Sequence, residues 1–281
     1  MEKQENMFLK KSFVAITGAS RGIGRCMALK FAVKFPPNSV LVLMARNVEA
    51  LESVRTELQA TAPNITVFVR QYDQGNTNEG YFKGIFDSLL TENKLSKGVF
   101  EQVMLVHNCA TIGDKEKTTL QLCDADLVRS YYDINLCGMI LLNASFFATF
   151  CDPSTSRVVV NITSGTSKVP SPSLHLYCSG KAARDMFFRV LSAEEPYIRV
   201  LTYAPGGVDT DMLRDLEENS SSTPIRKMLN GLRQDGHILT PDESVANLEQ
   251  ILEDNAFENA DHVDNYRQTA QPYRTNLYIE T

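Results

Sequence analysis

Residues 12–24 read SFVAITGASRGIG: an apolar run, a glycine turn, and the first turn of a periodic segment that continues to about residue 34. That order is strand, tight turn, helix. The glycines stand at 18, 22 and 24, a GxxxGxG spacing rather than the commoner GxGxxG. Small residues there let the backbone approach a pyrophosphate, whose charge the N-terminus of the following helix would meet. Any tight strand-to-helix connection also favours glycine. Position directly after the first strand tips the reading toward phosphate binding and makes Gly18, Ala19, Ser20, Arg21, Gly22, Ile23 and Gly24 candidate cofactor contacts.

Outward from this turn, strand and helix alternate. Apolar runs at 40–44, 65–70, 102–107, 157–162 and 198–203 predict further strands; periodic stretches at 48–60, 76–90, 120–150 and 175–193 predict helices. The strand runs are rich in Val, Ile and Leu without alternation, as expected when helices cover both sheet faces. No linker interrupts the pattern, so the expected architecture is one α/β domain, a doubly wound, mostly parallel sheet of the Rossmann type in three αβα layers. Residues 209–240 are polar and serine-rich and read as a mobile lid. A helix capped by Thr240 with Pro241 at its first position follows. A short strand is expected at 262–264, and 266–281 read as a tail outside a core of about 11–265.

Composition limits the function. The chain has 281 residues, 43% of them hydrophobic and 22% charged, with 28 basic against 34 acidic side chains and a net charge of −6. Charges are interspersed, which disfavours nucleic acid or an anionic membrane as partner. No apolar run reaches the roughly 18–20 residues that span a bilayer, and the first residues are polar, so the expected location is the cytosol. Six cysteines at 26, 109, 123, 137, 151 and 178 lack zinc-site spacing and are expected to be reduced, buried hydrophobes, with no metal bound.

The second strand is followed by Ala45-Arg46-Asn47 instead of an acidic residue that would bind the ribose hydroxyls of NAD. Arg46, helped by Arg21, can pair with a 2′-phosphate, so NADPH is the expected cofactor. Asp73 follows the third strand where a carboxylate could meet adenine. Asn108 and Ala110 follow the fourth and would line the ribose. Tyr177 and Lys181 stand four apart on a helix and share a face. A phenol of pKa ~10 exchanges protons poorly at neutral pH, and a neighbouring cation lowers it toward use. Ser164, thirteen residues before Tyr177, can hold a reacting carbonyl oxygen, and Asn135 can tether a water that relays protons to Lys181.

These motifs, with the turn Pro205-Gly206, resemble the short-chain dehydrogenase/reductase family over residues 11–265. The segments LYCSGKAARDMFFRVLSAEE (176–195), YAPGGVDTDM (203–212) and HVDNY (262–266) resemble its pterin-reducing branch. The resemblance implies an NADPH-dependent oxidoreductase that reduces a pterin side-chain ketone, completes tetrahydrobiopterin synthesis and acts as a homodimer. It assigns catalysis to Asn135, Ser164, Tyr177 and Lys181. Cofactor contacts extend to Asn47, Gln74, Val208, Asp209, Thr210, Asp211, Met212 and Leu213, and substrate contacts fall on Ser164, Tyr177, Gly206 and Asp264. A carboxylate at 264 suits the paired N–H donors of a pterin edge. The chain departs from the family after the fourth strand, where His107-Asn108-Cys109-Ala110 replaces Asn-Asn-Ala-Gly. Two other readings remain: a broad-specificity NADPH-dependent carbonyl or diketone reductase, and a non-catalytic module that senses NADPH.

Overall fold

The computed structural model describes residues 5–76, 78 and 80–265. Seven strands form one parallel sheet in the order β3-β2-β1-β4-β5-β6-β7. They are β1 (Ser12–Thr17), β2 (Val40–Ala45), β3 (Thr66–Gln71), β4 (Gln102–His107), β5 (Ser156–Ile162), β6 (Ile198–Ala204) and β7 (His262–Asp264). Every side chain of β1, β2 and β4 is buried, so their continuous apolar runs follow from burial on both faces. The chain order reverses between β1 and β4, and the carboxyl ends of strands beside such a switch form the ligand crevice of open α/β sheets.

One face of the sheet carries α1 (Gly22–Ala32), α2 (Val48–Thr61) and, later in the chain, a helix at Pro241–Asp254; Phe31, Leu51, Leu58, Val245 and Leu248 share its core. The other face carries α3 (Ile85–Glu92), a helical stretch from α4 (Ala125–Tyr132) to α5 (Gly138–Thr149), and α6 (His175–Glu194). Phe86, Leu89, Leu142 and Phe146 pack against Phe13 and Leu105 there, while Phe188 packs against Val159 and Val200.

Three expectations change. The helix expected over 76–90 begins only at Ile85, because Gly80 (φ +87°) and Gly84 (φ +72°) take left-handed conformations that end any continuous helix before it. The polar stretch 209–240 is helical: α7 (Asp211–Asn219) and α8 (Thr223–Gln234) precede α9 (Pro241–Asp254). Thr210 caps α7 and Ser222 caps α8, so these polar residues start helices. All six cysteines are free as expected, but Cys123 and Cys151 are exposed and only Cys26 is fully buried. The tail 266–281 lies outside the described residues, among which no helix is long and apolar enough to cross a membrane.

Candidate active site

The glycine turn is fixed from below by β4. Thr17 Oγ1 accepts the backbone N–H groups of Asn108 and Cys109, both at 3.0 Å, and donates to Val106 O at 3.1 Å. Asn108 Nδ2 donates to Thr17 O at 2.9 Å and to Gly18 O at 3.3 Å. Asn108, expected at the ribose, therefore spends its amide N–H groups holding the turn. Gly18 has φ +68°, and a side chain on Gly24 would run into Gly18 O and Asn108 Nδ2. This closeness leaves room above the turn for a phosphate at the start of α1, so the residues fit a dinucleotide.

Arg46 is exposed at the end of β2. Arg21, expected to assist it, instead pairs with Asp211 of α7 at 2.6 Å. Asn47 caps α2 by accepting Ala50 N–H at 2.9 Å. Asp73 accepts Gly75 N–H at 3.1 Å, and its own N–H donates to Tyr81 Oη at 2.7 Å. Gln74 is buried, its Nε2 donating to Ile134 O at 2.6 Å and to Cys109 O at 3.2 Å. Side-chain groups of Asn47 and Gln74 are thus engaged in structure.

Tyr177 and Lys181 share one face of α6. Lys181 Nζ lies 5.5 Å from the Tyr177 ring centroid and donates to Ile162 O at the end of β5 at 2.7 Å. Ser164 follows that strand end, accepts Thr166 N–H at 3.2 Å, and hydrogen-bonds toward the phenol. Burial pushes the Tyr177 phenol up to about 12, opposed first by the Arg184 guanidinium and then by Ser164. Burial holds Lys181 well below the ordinary lysine range, and Arg184 adds to that. The cation opposing the rise at Tyr177 is therefore Arg184, a role that sequence reasoning gave to Lys181 alone.

Asn135 sits in a π-helical turn, Asp133–Cys137, between α4 and α5, an irregularity frequent at functional sites. Its Oδ1 accepts Thr111 N–H and its Nδ2 donates to Tyr131 O, both at 2.9 Å. Asn135 thereby braces the loop after β4 against α4. Gly138, at the end of this turn, passes so close to Gln74 O that no side chain fits.

The remaining predicted residues close the cleft from two sides. Thr210 Cγ2 comes within 3.4 Å of a methyl placed on Gly22, so the segment Val208, Asp209, Thr210, Asp211, Met212, Leu213 borders the glycine turn. Gly206 (φ +85°) lets the chain leave β6 for that segment. Met212 and Leu213 pack with Leu216, Ile225 and Leu229 against Ile112, Leu174 and Tyr177, so α7 and α8, here called the flap, set an apolar cluster against Tyr177. Asp264 pairs with Ala204 across β6 and β7, and its Oδ2 would lie 3.8 Å from a Cβ on Gly165, next to Ser164.

Arg184 escaped sequence reasoning, although its spacing of three from Lys181 and seven from Tyr177 puts it on their helical face. Tyr131 was missed as well; the close fit of Gly113 and Gly180 around its ring is visible only in three dimensions.

A parallel sheet with a phosphate-type glycine turn and a Ser-Tyr-Lys centre at its carboxyl edge defines a dinucleotide-dependent oxidoreductase of the alcohol–carbonyl class. The chain belongs to the short chain dehydrogenase family, whose model matches residues 12–221. Among individual proteins it is similar to sepiapterin reductase of Bos taurus, 39% identical over 260 residues, 92% of this chain and 96% of the relative. Sepiapterin reductase of Mus musculus is 37% identical over 252 residues, 89% and 95% of the two chains. The fold matches a short chain dehydrogenase from Escherichia coli CFT073 complexed with NADPH, with TM-score 0.72, 17% identity, and coverage of 93% of this chain and 99% of that one.

Proposed function

We propose that this protein reduces the side-chain ketone of a pterin with NADPH, the sepiapterin reductase reaction that completes tetrahydrobiopterin synthesis. Identity to sepiapterin reductases over nearly the full length of both chains supports the class of substrate. The observation that carries it is the placement of the Asp264 carboxylate against Gly165 beside Ser164. A planar ring with adjacent N–H donors can bind that carboxylate while its side chain reaches Ser164 and Tyr177.

The glycine turn would hold NADPH with Arg46 toward its 2′-phosphate, and the bound cofactor would supply the hydride. Ser164 donates a hydrogen bond to the carbonyl oxygen and fixes its direction. Tyr177 donates the proton that completes the alcohol. Lys181, held by Ile162 O, steadies the phenol, and Asn135 braces the path by which the proton is replaced. The flap excludes water above Tyr177. Leu141, Met186 and Val190 on α5 and α6 are exposed apolar residues, which supports a homodimer through these helices. Free thiols throughout fit a cytosolic setting.

Replacing Asp264 separates this reading from a general carbonyl or diketone reductase. Asp264→Ala is expected to reduce kcat/KM for sepiapterin by about 10- to 100-fold, the scale of a lost charge-assisted hydrogen bond, and to leave a small diketone nearly unaffected. Equal losses on both substrates, measured by NADPH oxidation, would remove Asp264 from pterin recognition.

A further inference from the structure

We propose that Arg184 is a positioning residue of the reductase centre: its guanidinium locks the ends of β4 and β5 together and places a positive charge on the face of α6 that carries Tyr177 and Lys181. The proposal rests on the reading of Tyr177 as proton donor.

Arg184 is 0% exposed. Its three hydrogen-bond partners are neutral: Nη2 donates to His107 O at 2.8 Å, Nη1 to Cys109 O at 3.2 Å, and Nε to Asn161 Oδ1 at 3.2 Å. The first two acceptors lie at and just beyond the end of β4, where the chain turns toward the cofactor cleft; the third is on β5. An arginine fork suits this, because its planar donors meet several acceptors with one rigid group. Burying a charge without a directly bonded carboxylate is costly. A neutral amide could brace some of the same carbonyls at lower cost, so the presence of a guanidinium points to a use for its charge.

The Asp185 carboxylate is reached through one intervening side chain. Asn161 Nδ2 donates to Asp185 Oδ1 at 3.1 Å, and Asp185 Oδ2 contacts His262 Nδ1 at 3.2 Å. Asn161 thus links the cation to Asp185 while separating the two charges, so Arg184 is not neutralised by contact.

Burial lowers Arg184 too, but from the highest starting value of the groups around the centre, so it stays their cation. On α6 these are Tyr177, Cys178, Lys181 and Asp185; burial disfavours the charged form of Lys181, and Arg184 disfavours it further. From β4 and its loop come His107, which burial pushes down to about 3 and so leaves neutral, and Cys109, whose thiol burial raises. Tyr131 of α4 and Tyr72 beyond β3 are raised by burial and remain phenols. Arg46 and Asp73 act on Cys109 from the open end of the cleft, and Ser164 faces the phenol from the end of β5. His262 faces Asp185 from β7. At Tyr177 the Arg184 charge is the largest influence opposing burial.

The test is charge rescue at one neutral pH, because a phenol already near 12 has no alkaline limb within the range where a protein stays folded. Arg184→Met removes the charge and the donors, Arg184→Gln keeps amide donors without the charge, and Arg184→Lys keeps the charge but loses the fork. kcat is expected to fall by about 10-fold in Arg184→Met and Arg184→Gln, with KM for NADPH nearly unchanged, and to recover most of the way in Arg184→Lys. Run with sepiapterin and with a small diketone, the same ranking on whichever substrate is turned over supports the proposal even if pterin is not the substrate. Full kcat in Arg184→Met, or an Arg184→Gln protein as active as Arg184→Lys, overturns it. If Arg184→Met does not fold, the comparison of Arg184→Gln with Arg184→Lys decides alone.

Discussion

The floor of the cleft and the flap above it are built by opposite means. On the floor, Asn135, Lys181 and Arg184 are buried, and each satisfies its polar atoms with backbone or amide partners over short distances. In the flap, a small apolar cluster is tied down at its rim by ion pairs that reach solvent, Arg214 and Arg233 with Asp209 at 2.9 and 3.0 Å and Arg21 with Asp211 at 2.6 Å, while Arg233 also meets the largely covered Glu217 at 2.7 Å. Buried polar networks are costly to leave half made, whereas exposed pairs contribute little. The contrast sets a floor held by buried hydrogen bonds against a flap held at its rim by charge pairs.

Breaking the floor should therefore cost far more than loosening the flap. Tyr177→Phe keeps the ring and removes the proton, so the reductase kcat should fall by about 100- to 10,000-fold with an unchanged circular dichroism spectrum. A full rate would remove the phenol from the mechanism.

A smaller effect falls on stability. His107, buried beside Phe188 and bonded to Asn143 at 3.3 Å, is shifted from 6.5 down to about 3, chiefly by burial. Above pH 6.5 it is neutral in both folded and unfolded chains. As pH falls through the window between the two values only the unfolded chain takes up the proton, so stability drops by about 1.4 kcal/mol per unit. His107→Leu should flatten this acid loss in denaturant titrations, and an unchanged slope would assign the loss to other groups.

The smallest effect belongs to the rim of the flap. Arg214→Ala, at the exposed end of the rim, should leave the melting temperature nearly unchanged while raising KM modestly, with the difference from wild type shrinking at high salt. A large loss of stability would show that the flap is an integral part of the folded core.

How much of this was legible in the sequence follows the same division. The strands could be read because sheet burial on both faces writes continuous apolar runs; β4 and β7 fall on the expected residues. Ser164, Tyr177 and Lys181 could be read because strand ends and helical spacing place them together. The flap could not, because serines and charges that cap and flank exposed helices resemble a loop when only apolar periodicity is followed. The 76–90 stretch failed at two left-handed glycines. Arg184 was missed for a different reason: a charged residue in a helix reads as solvent-facing, and its burial depends on carbonyls contributed by β4 and an amide from β5, about 20 to 80 residues away in the chain.

The most direct test of the central claim is to follow NADPH absorbance after adding sepiapterin to the purified protein, with NADH run in parallel. The account predicts sepiapterin-dependent consumption of NADPH at a rate well above that of NADH. No sepiapterin-dependent loss of NADPH absorbance would contradict it.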